Sequence, residues 1–486
     1  MNKLSLIKPF IKTNVFDKCV ISSITDDSRD VQKNSLFVAR QGIASHGKDF
    51  VKDAIRRGAS CIISDQNFED RIEIPIYCLN NLEDQILEIL FRFHELSVDN
   101  FVFHGVTGTN GKTTTAFMAH NIIRGLERPS IYIGTLGAFI NDDLIQTKGN
   151  TTPGIFEILQ ILQASKAKQK TYVFLEISSH ALEQKRLGSL PFFQTILLNI
   201  QSDHLDYHKT YKNYIDAKLS ITELNNKHPT IIFFDKIQDL LDSLSSSQKK
   251  QLSTSTFLSA NNSSAMFKYS VNYKTHEPSK INLDFPRITL SIYCSLFLKF
   301  NIENYISAIA LISKHISSTN LNALNNTSIK LPQGRGELLK LKQGKILIDF
   351  AHDHLSIFNI LSELANSYNE IIVVFGCGGD RDKSKRPKMM RVVQDFASKI
   401  FFTSDNNRYE SFSSIASDAM QGNDHSGAEI IEDRQEAIRS ALPHLNNENI
   451  LVILGKGHET DIEILGKKVP FNDKDCVLKI MGDEIN

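Results

Sequence analysis

Apolar and polar positions along the 486-residue chain switch repeatedly between two periods. Short apolar runs at 35–39, 59–64, 101–103, 130–133, 171–175, 195–200, 346–350, 370–375, 399–403 and 449–454 suit buried strands. Between them, residues 50–58, 83–96, 116–124, 211–223, 300–312, 356–367 and 435–441 have helical spacing, and a further helix follows Pro387. Another helix is predicted to open at residues 150–154, where Asn150, Thr151 or Thr152 can cap and Pro153 suits the first turn. Strands alternating with helices predict an α/β fold with mostly parallel sheets and ligands at the strand C-terminal ends. Breaks near 97–100 and 321–329 divide the chain into three expected domains, 1–98, 99–329 and 330–486. Residues 224–300 are less informative, with strands predicted at 230–234 and 287–291 and turns or loops at 243–247 and 261–264.

Lys plus Arg number 55 and so do Asp plus Glu, so no global charge draws the chain to nucleic acid or to an anionic membrane. Cys19, Cys61, Cys78, Cys294, Cys377 and Cys476 are scattered without a Cys-x-x-Cys pair, which suits reduced thiols in the cytoplasm. Residues 1–15 carry three lysines and no long apolar core, so they do not read as a signal peptide. No apolar stretch approaches the length of a membrane span.

The chemistry begins at residues 105–115, Gly-Val-Thr-Gly-Thr-Asn-Gly-Lys-Thr-Thr-Thr, between a predicted strand and a predicted helix. A glycine-rich turn there lets backbone N–H groups approach phosphate, with Lys112 reaching the β and γ phosphates and the Thr113 hydroxyl on Mg²⁺. The spacing departs from the generic phosphate loop, because Val106 stands where that loop has glycine. Glu176 ends an apolar strand, as the second Mg²⁺-binding acid of nucleotide hydrolases does; alone, it would read as a strand-end charge facing solvent. Asp203, His204, Asp206 and His208 follow a strand and suit either metal binding or a structural role. Lys218 by itself reads as a solvated helix residue. In the third segment three polar loops follow three strands, at 376–382, 405–408 and 455–459, and should converge on one face. Arg381, Asp405, Arg408 and Glu459 there could bind a zwitterion. Near the N-terminus, Ser28 and the loop 42–47 suit either a ligand site or a capping residue and a surface loop.

These motifs together resemble the Mur ligases of peptidoglycan synthesis, over nearly the whole chain. The resemblance rests on Gly-Thr-Asn-Gly-Lys-Thr at 108–113, Glu-Ile-Ser-Ser-His at 176–180, Asp-His-Leu-Asp-Tyr-His at 203–208, Gly-Cys-Gly-Gly-Asp-Arg-Asp at 376–382 and Gly-Lys-Gly-His-Glu at 455–459. It implies a small uridine-binding N-terminal α/β domain, a central P-loop ATPase domain and a Rossmann-like C-terminal domain for the amino acid. Within that family, the motifs imply ATP-dependent addition of meso-diaminopimelate to UDP-MurNAc-L-Ala-D-Glu through an acyl phosphate. Gly108, Thr109, Asn110, Gly111, Lys112, Thr113, Thr114 and Asn304 would meet ATP. Ser28, Ile43, Ala44, Ser45, Asn150, Thr151, Thr152, Ser178, Gln184 and Arg186 would hold the UDP-sugar dipeptide. Arg381, Asp405, Asn406, Asn407, Arg408, Gly455 and Glu459 would hold diaminopimelate. Mg²⁺ would take Thr113, Glu176, His204 and Lys218, the last as a carbamate formed with CO₂, and Lys112, His204 and Lys218 form the expected catalytic set. A cytoplasmic monomer without nucleic-acid partners or membrane insertion is expected.

Three positions depart from the family pattern. Asn407 stands where an Asp-Asn-Pro-Arg motif has proline, though Arg408, suited to a distal carboxylate, is kept. Asp-Phe-Ala-His-Asp-His at 349–354 replaces the usual Tyr-Ala-His-Thr-Pro. Asp26 stands where an apolar uridine contact is common. The alternatives are L-lysine as the amino acid, a folylpolyglutamate synthetase-like ligase, or a P-loop ATPase switch.

Overall fold

The computed structural model describes residues 2–482 apart from 12–13, 43–44, 69–70, 225–226, 275–276, 325–329 and 425–426. The chain divides into two compact units. One holds Met1–Lys112, Ile122–Asp203 and Thr210–Leu258; the other holds Thr113–Asn121, His204–Lys209 and Ser259–Asn486.

The first unit contains two sheets. The smaller has four parallel strands in chain order, Ser23–Thr25, Ser35–Ala39, Ala59–Ser64 and Ile76–Cys78. Every residue of Ser35–Ala39 is buried, as its unbroken apolar run requires of a parallel strand covered on both faces. The helix Val51–Arg57 ends at Gly58, whose φ of 110° closes it in the left-handed region. The helix Leu82–Phe93 buries Leu82, Ile86, Ile89, Leu90 and Phe93 along one stripe.

In the larger sheet Ile231–Phe233, Phe192–Leu197, Phe101–Thr107, Thr171–Glu176 and Ser130–Gly134 lie side by side and parallel. Gly137–Ile140 and Asp143–Ile145 extend it antiparallel. Phe101–Thr107 is central and wholly buried, so the glycine loop after it leaves the sheet between the ends of two neighbouring strands. Three local expectations change here. The strand ends at Leu197, not at 200, because Asn199 and Gln201 turn to bond the glycine loop. The helix Ile155–Ala164 starts from Gly154 without a side-chain cap, because the Thr152 hydroxyl bonds the Glu176 carbonyl instead. The turn expected at 243–247 gives way to the helix Ser246–Ser253, which Ser245 and Gln248 close with a reciprocal capping box.

The second unit contains a meander, Phe267–Asn272, Ser279–Phe285 and Ile288–Cys294, of which only the last strand was expected. The helix Ser318–Leu324 occupies part of the expected linker, whose residues 325–329 lie outside the described ones. The unit's main sheet runs Arg335–Leu341, Gly344–Asp349, Ile450–Leu454, Ile371–Cys377, Lys399–Ser404 and Ala428–Ile430, parallel except for its first strand. Leu347, Val373, Phe375 and Val452 pack on one face against the helices His354–Ala365, Lys385–Phe396 and Phe412–Met420. Ile346, Ile348, Ile372, Val374, Leu451 and Ile453 pack on the other against Arg434–Ala441 and Asp473–Met481. Helices on both faces of a parallel sheet leave its C-terminal edge for loops. No helix among the described residues is long and apolar enough to cross a membrane.

Candidate active site

The glycine loop is held from two sides. Asn110 donates its amide to Asn199 Oδ1 at 2.9 Å, and Asn199 Nδ2 returns a bond to the Asn110 carbonyl at 3.0 Å. Gln201 donates its amide to Thr109 Oγ1 at 2.9 Å. A Cβ on Gly108 would sit 3.0 Å from Leu198 Cβ and 3.1 Å from the Asn110 carbonyl, so a side chain there would push the turn aside by a few tenths of an ångström. Gly111, with φ 86°, leads into the helix Lys112–Gly125, which has no side-chain cap. Lys112 Nζ donates to the carbonyls of Gly108 and Thr109, both at 2.8 Å. Sequence reasoning found the loop but not its braces, Asn199 and Gln201, which carry no motif of their own.

Glu176 is fully buried, so the solvent-facing alternative fails. Its Oε1 accepts from the Tyr132 hydroxyl and from the Thr135 amide at 2.9 Å, and its Oε2 accepts from the Thr135 hydroxyl at 3.2 Å. A Cβ on Gly134 would fall within 2.1 Å of Oε1. A fixed, buried carboxylate suits a hard cation. Thr152, Ser178, Gln184 and Arg186 gather beside it. Thr152 Oγ1 accepts from the Ser178 amide at 2.9 Å, Arg186 Nη1 donates to the Thr152 carbonyl at 3.1 Å, and Arg186 Nε donates to Gln184 Oε1 at 2.6 Å. Thr151 joins them through Thr135, whose hydroxyl lies 3.3 Å from its own. Thr152 is fully buried, and its hydroxyl ties the 150–154 loop to the end of the Glu176 strand; Asn150 is exposed.

Lys218 overturns the solvated-helix reading: its side chain is buried, at 2% exposure. Its Nζ donates to the Gly108 carbonyl at 2.7 Å and to Thr107 Oγ1 at 3.3 Å. Burial removes the ammonium's hydration and the Lys112 cation opposes it further, so the amine is held well below the ordinary lysine range despite Asp203. A neutral amine is the form that adds CO₂.

In the second unit Thr113 and Thr114 are buried in the first turn of their helix. Asn304 Oδ1 accepts from the Thr115 hydroxyl at 3.4 Å. His204 is exposed, with φ 52°, at the head of the short helix Leu205–His208.

Near the N-terminus Ser28 is buried and its hydroxyl bonds the Asp53 carboxylate. Ser45 closes the loop by accepting the Gly42 amide at 3.0 Å; Ile43 and Ala44 lie outside the described residues. Asp26 accepts from Arg40 Nε at 3.0 Å, and Arg40 also reaches Glu83 at 3.1 Å, so this departure from an apolar residue is matched by its own counter-charge.

The C-terminal loops converge as the topology predicts. Asn406 Nδ2 donates to Glu459 Oε2 at 2.8 Å, and Lys456 Nζ bridges Asn406 Oδ1 at 2.9 Å and Glu459 Oε2 at 2.5 Å. The Gly379 amide donates to the Asn406 carbonyl at 2.8 Å, and Arg408 Nη1 to the Gly379 carbonyl at 2.5 Å. A Cβ on Gly455, whose φ is 108°, would stand 2.7 Å from Asp405 Oδ2. Asn407 is buried and donates to Ser404 Oγ at 3.1 Å, a tether in place of a ring. Arg381 is exposed at the rim. Within 349–354, the Asp349 carboxylate accepts the Ala351 amide at 2.8 Å and Asp353 caps the helix His354–Ala365, so both substituted acids have structural work. Lys456 was within a recognised motif yet had no assigned role; Arg434, fully buried behind these loops, gave no sequence signal.

Comparison with known proteins matches these features to families. Residues 106–312 match the Mur ligase middle domain, 334–457 the Mur ligase glutamate ligase domain, and 20–88 the Mur ligase family catalytic domain. The UDP-N-acetylmuramoyl-L-alanyl-D-glutamate--2,6-diaminopimelate ligase of Fusobacterium nucleatum is 32% identical over 459 residues, covering 92% of this chain and 91% of that one. The protein of the same name from Wolinella succinogenes is 35% identical over 78% of this chain and 84% of its own. A solved structure of a ligase of that name aligns with a TM-score of 0.67 and 28% identity, over 99% of this chain and 98% of that one. A folylpolyglutamate synthase from Thermotoga maritima, at 16% identity and a TM-score of 0.55 over 76% of this chain and 89% of its own, shares the fold. The chain therefore belongs to the Mur ligase family.

Proposed function

We infer that this ligase joins meso-diaminopimelate to UDP-MurNAc-L-Ala-D-Glu, using ATP, in the cytoplasmic assembly of peptidoglycan precursors. The observation that carries the choice of amino acid is Arg408. Its guanidinium is held on the edge of the Asp405 loop by the Gly379 carbonyl, where a planar fork suits a distal carboxylate that lysine lacks. The proposed division of labour assigns 1–98 to the uridine nucleotide, 99–329 to ATP and 330–486 to the amino acid, in a monomeric enzyme without nucleic-acid or membrane partners.

In the reaction the D-Glu carboxylate attacks the γ-phosphorus of ATP and ADP departs. The neutral amine of the amino acid then attacks the acyl phosphate, and phosphate leaves as the amide forms. Lys112 would exchange its loop carbonyls for the phosphates and offset the charge of the transferring group. Asn304 would meet the adenine. Ser28 and Ser45, with Ile43 and Ala44, would contact the uridine nucleotide, and Asn150, Thr151, Ser178, Gln184 and Arg186 the sugar and its peptide. Arg381, Asp405, Asn406, Gly455 and Glu459 would orient the incoming amino acid. Mg²⁺, when bound, neutralises phosphate charge. The buried Glu176 carboxylate, and Lys218 as a carbamate, would supply anionic oxygens for it, and the family resemblance adds the Thr113 hydroxyl and the His204 imidazole.

Phosphate release with ATP, Mg²⁺ and UDP-MurNAc-L-Ala-D-Glu tests the reading. Turnover with meso-diaminopimelate and not with L-lysine is expected. Preference for lysine would overturn the role given to Arg408, and release that needs neither the UDP-sugar nor an amino acid would overturn the ligase reading.

A further inference from the structure

The turn Ser28–Asp30 and the stretch 150–152 belong to different sheets of the first unit. The turn follows the strand Ser23–Thr25 of the small sheet, and the stretch follows Asp143–Ile145 at the edge of the large one. Lys148 joins them. Its ammonium donates to the Asp30 carboxylate and stands 3.8 Å from Asp27 Oδ2. Its own amide donates at 2.8 Å to Glu157 Oε1, in the first turn of the helix Ile155–Ala164. Gly149, with φ 88°, turns the chain between Lys148 and Asn150. On the far side Asp27 caps the turn by accepting the Arg29 amide at 2.9 Å, and Ser28 lies between the two acids that Lys148 reaches. Two other contacts cross the same seam, His94 with Gln163 at 2.7 Å and Arg40 over the Phe156 ring centre at 5.6 Å; neither starts in the Ser28 turn. The Lys148 and Asp30 side chains are 46% and 37% exposed, so their pairing bears on the rim of the site and not on the core.

We propose that Lys148 is a positioning residue that sets the spacing between the Ser28 turn and Asn150–Thr151, so that both ends of one nucleotide-sugar are met at once. This rests on the ligase reading above, which gives the uridine to the first segment and the sugar with its peptide to the second. Once one end of a tethered ligand is held, the other binds at an effective concentration fixed by the geometry of the two subsites. An ion pair between the subsites acts on that geometry. It strengthens binding of the whole substrate and leaves binding of either end alone unchanged.

The test is calorimetric binding of UDP-MurNAc-L-Ala-D-Glu and of UDP, each with Mg²⁺ and a non-hydrolysable ATP analogue present. Lys148→Met should weaken the UDP-sugar dipeptide about fivefold, the upper end for one partly exposed ion pair, and leave UDP unchanged. Asp30→Asn should do the same. The double variant should be no weaker than either single one, because both remove one interaction. Lys148→Arg, which keeps charge and reach, should bind close to wild type. Equal weakening of UDP and of the dipeptide would mean that Lys148 only supports the Ser28 turn. That result, additive losses in the double variant, or no change overturns the proposal. Failure of the wild-type enzyme to bind the UDP-sugar dipeptide would overturn the ligase reading itself.

Discussion

Arg434 and Asp473 face each other in a doubly bonded pair, Nε to Oδ1 at 2.7 Å and Nη2 to Oδ2 at 2.9 Å, and neither side chain reaches solvent. The same guanidinium donates to the carbonyls of Ser404, at 3.2 Å, and Leu454, at 2.9 Å. Those are the residues immediately before Asp405 and Gly455, so one buried cation fixes the roots of two of the loops assigned to the amino acid. Asp473→Ala leaves that cation unpaired and should cost about 3–5 kcal/mol in urea unfolding. A double replacement, Arg434→Met with Asp473→Leu, should recover much of the stability yet leave KM for the amino acid raised, because the carbonyl anchors stay lost.

Lys218→Ala should lower ligation by about 10²–10³-fold or more, the scale for losing one well-placed electrostatic group. Added short-chain carboxylates should restore part of it by entering the vacated space. Full activity of this variant at neutral pH without added carboxylate would remove the carbamate from the account. Mass measurement of the intact protein gives a second readout, since CO₂ added to the amine changes the mass.

Gly455→Ala meets both an unfavourable φ of 108° and the Asp405 carboxylate. The expected cost is about 1–3 kcal/mol in stability, with KM for diaminopimelate raised and KM for ATP little changed. A rise confined to ATP would contradict the placement of this loop.

Glu410 accepts from Arg386 Nη2 and Nη1, each at 2.9 Å, and these bonds hold its carboxyl down to about 2. A depressed carboxyl stabilises the fold above the ordinary carboxylate range, and that contribution is lost as pH falls from about 4.5 to about 2. The stability gap between wild type and Glu410→Gln should therefore be full at pH 7 and shrink towards pH 3. A gap that is constant across this range would show that the ion pair is not its source.

The sheets and the phosphate loop were legible because both are local: strand runs are contiguous, and the loop's glycines and lysine lie within a few residues of one another. Lys218 was not. Its helix spacing is that of a surface residue, and only the approach of Gly108 and Lys112, more than a hundred positions earlier, makes it a buried amine. Arg434 and Asp473 likewise meet across 39 positions. The strand Ser279–Phe285 was missed for another reason. Its strict in-out alternation, Ser-Lys-Ile-Asn-Leu-Asp-Phe, was present, but the polar half of the pattern left the region unassigned. Thr151 and Thr152 had the composition of a helix cap and serve instead as strand-end ties, a choice decided by where Glu176 lies.

The hairpin Asp461–Pro470 forms a ribbon outside the main sheet, and Leu465 and Gly466, with φ of 50° and 72°, turn its tip. Its backbone bonds fix Arg408, yet Lys467, Lys468, Val469 and Pro470 are all exposed. The arginine to which amino-acid choice is assigned is therefore held by an appendage whose outer strand belongs to neither hydrophobic layer of the domain. A ribbon of different length or charge is therefore expected to shift amino-acid preference while the scaffold keeps its folding energy.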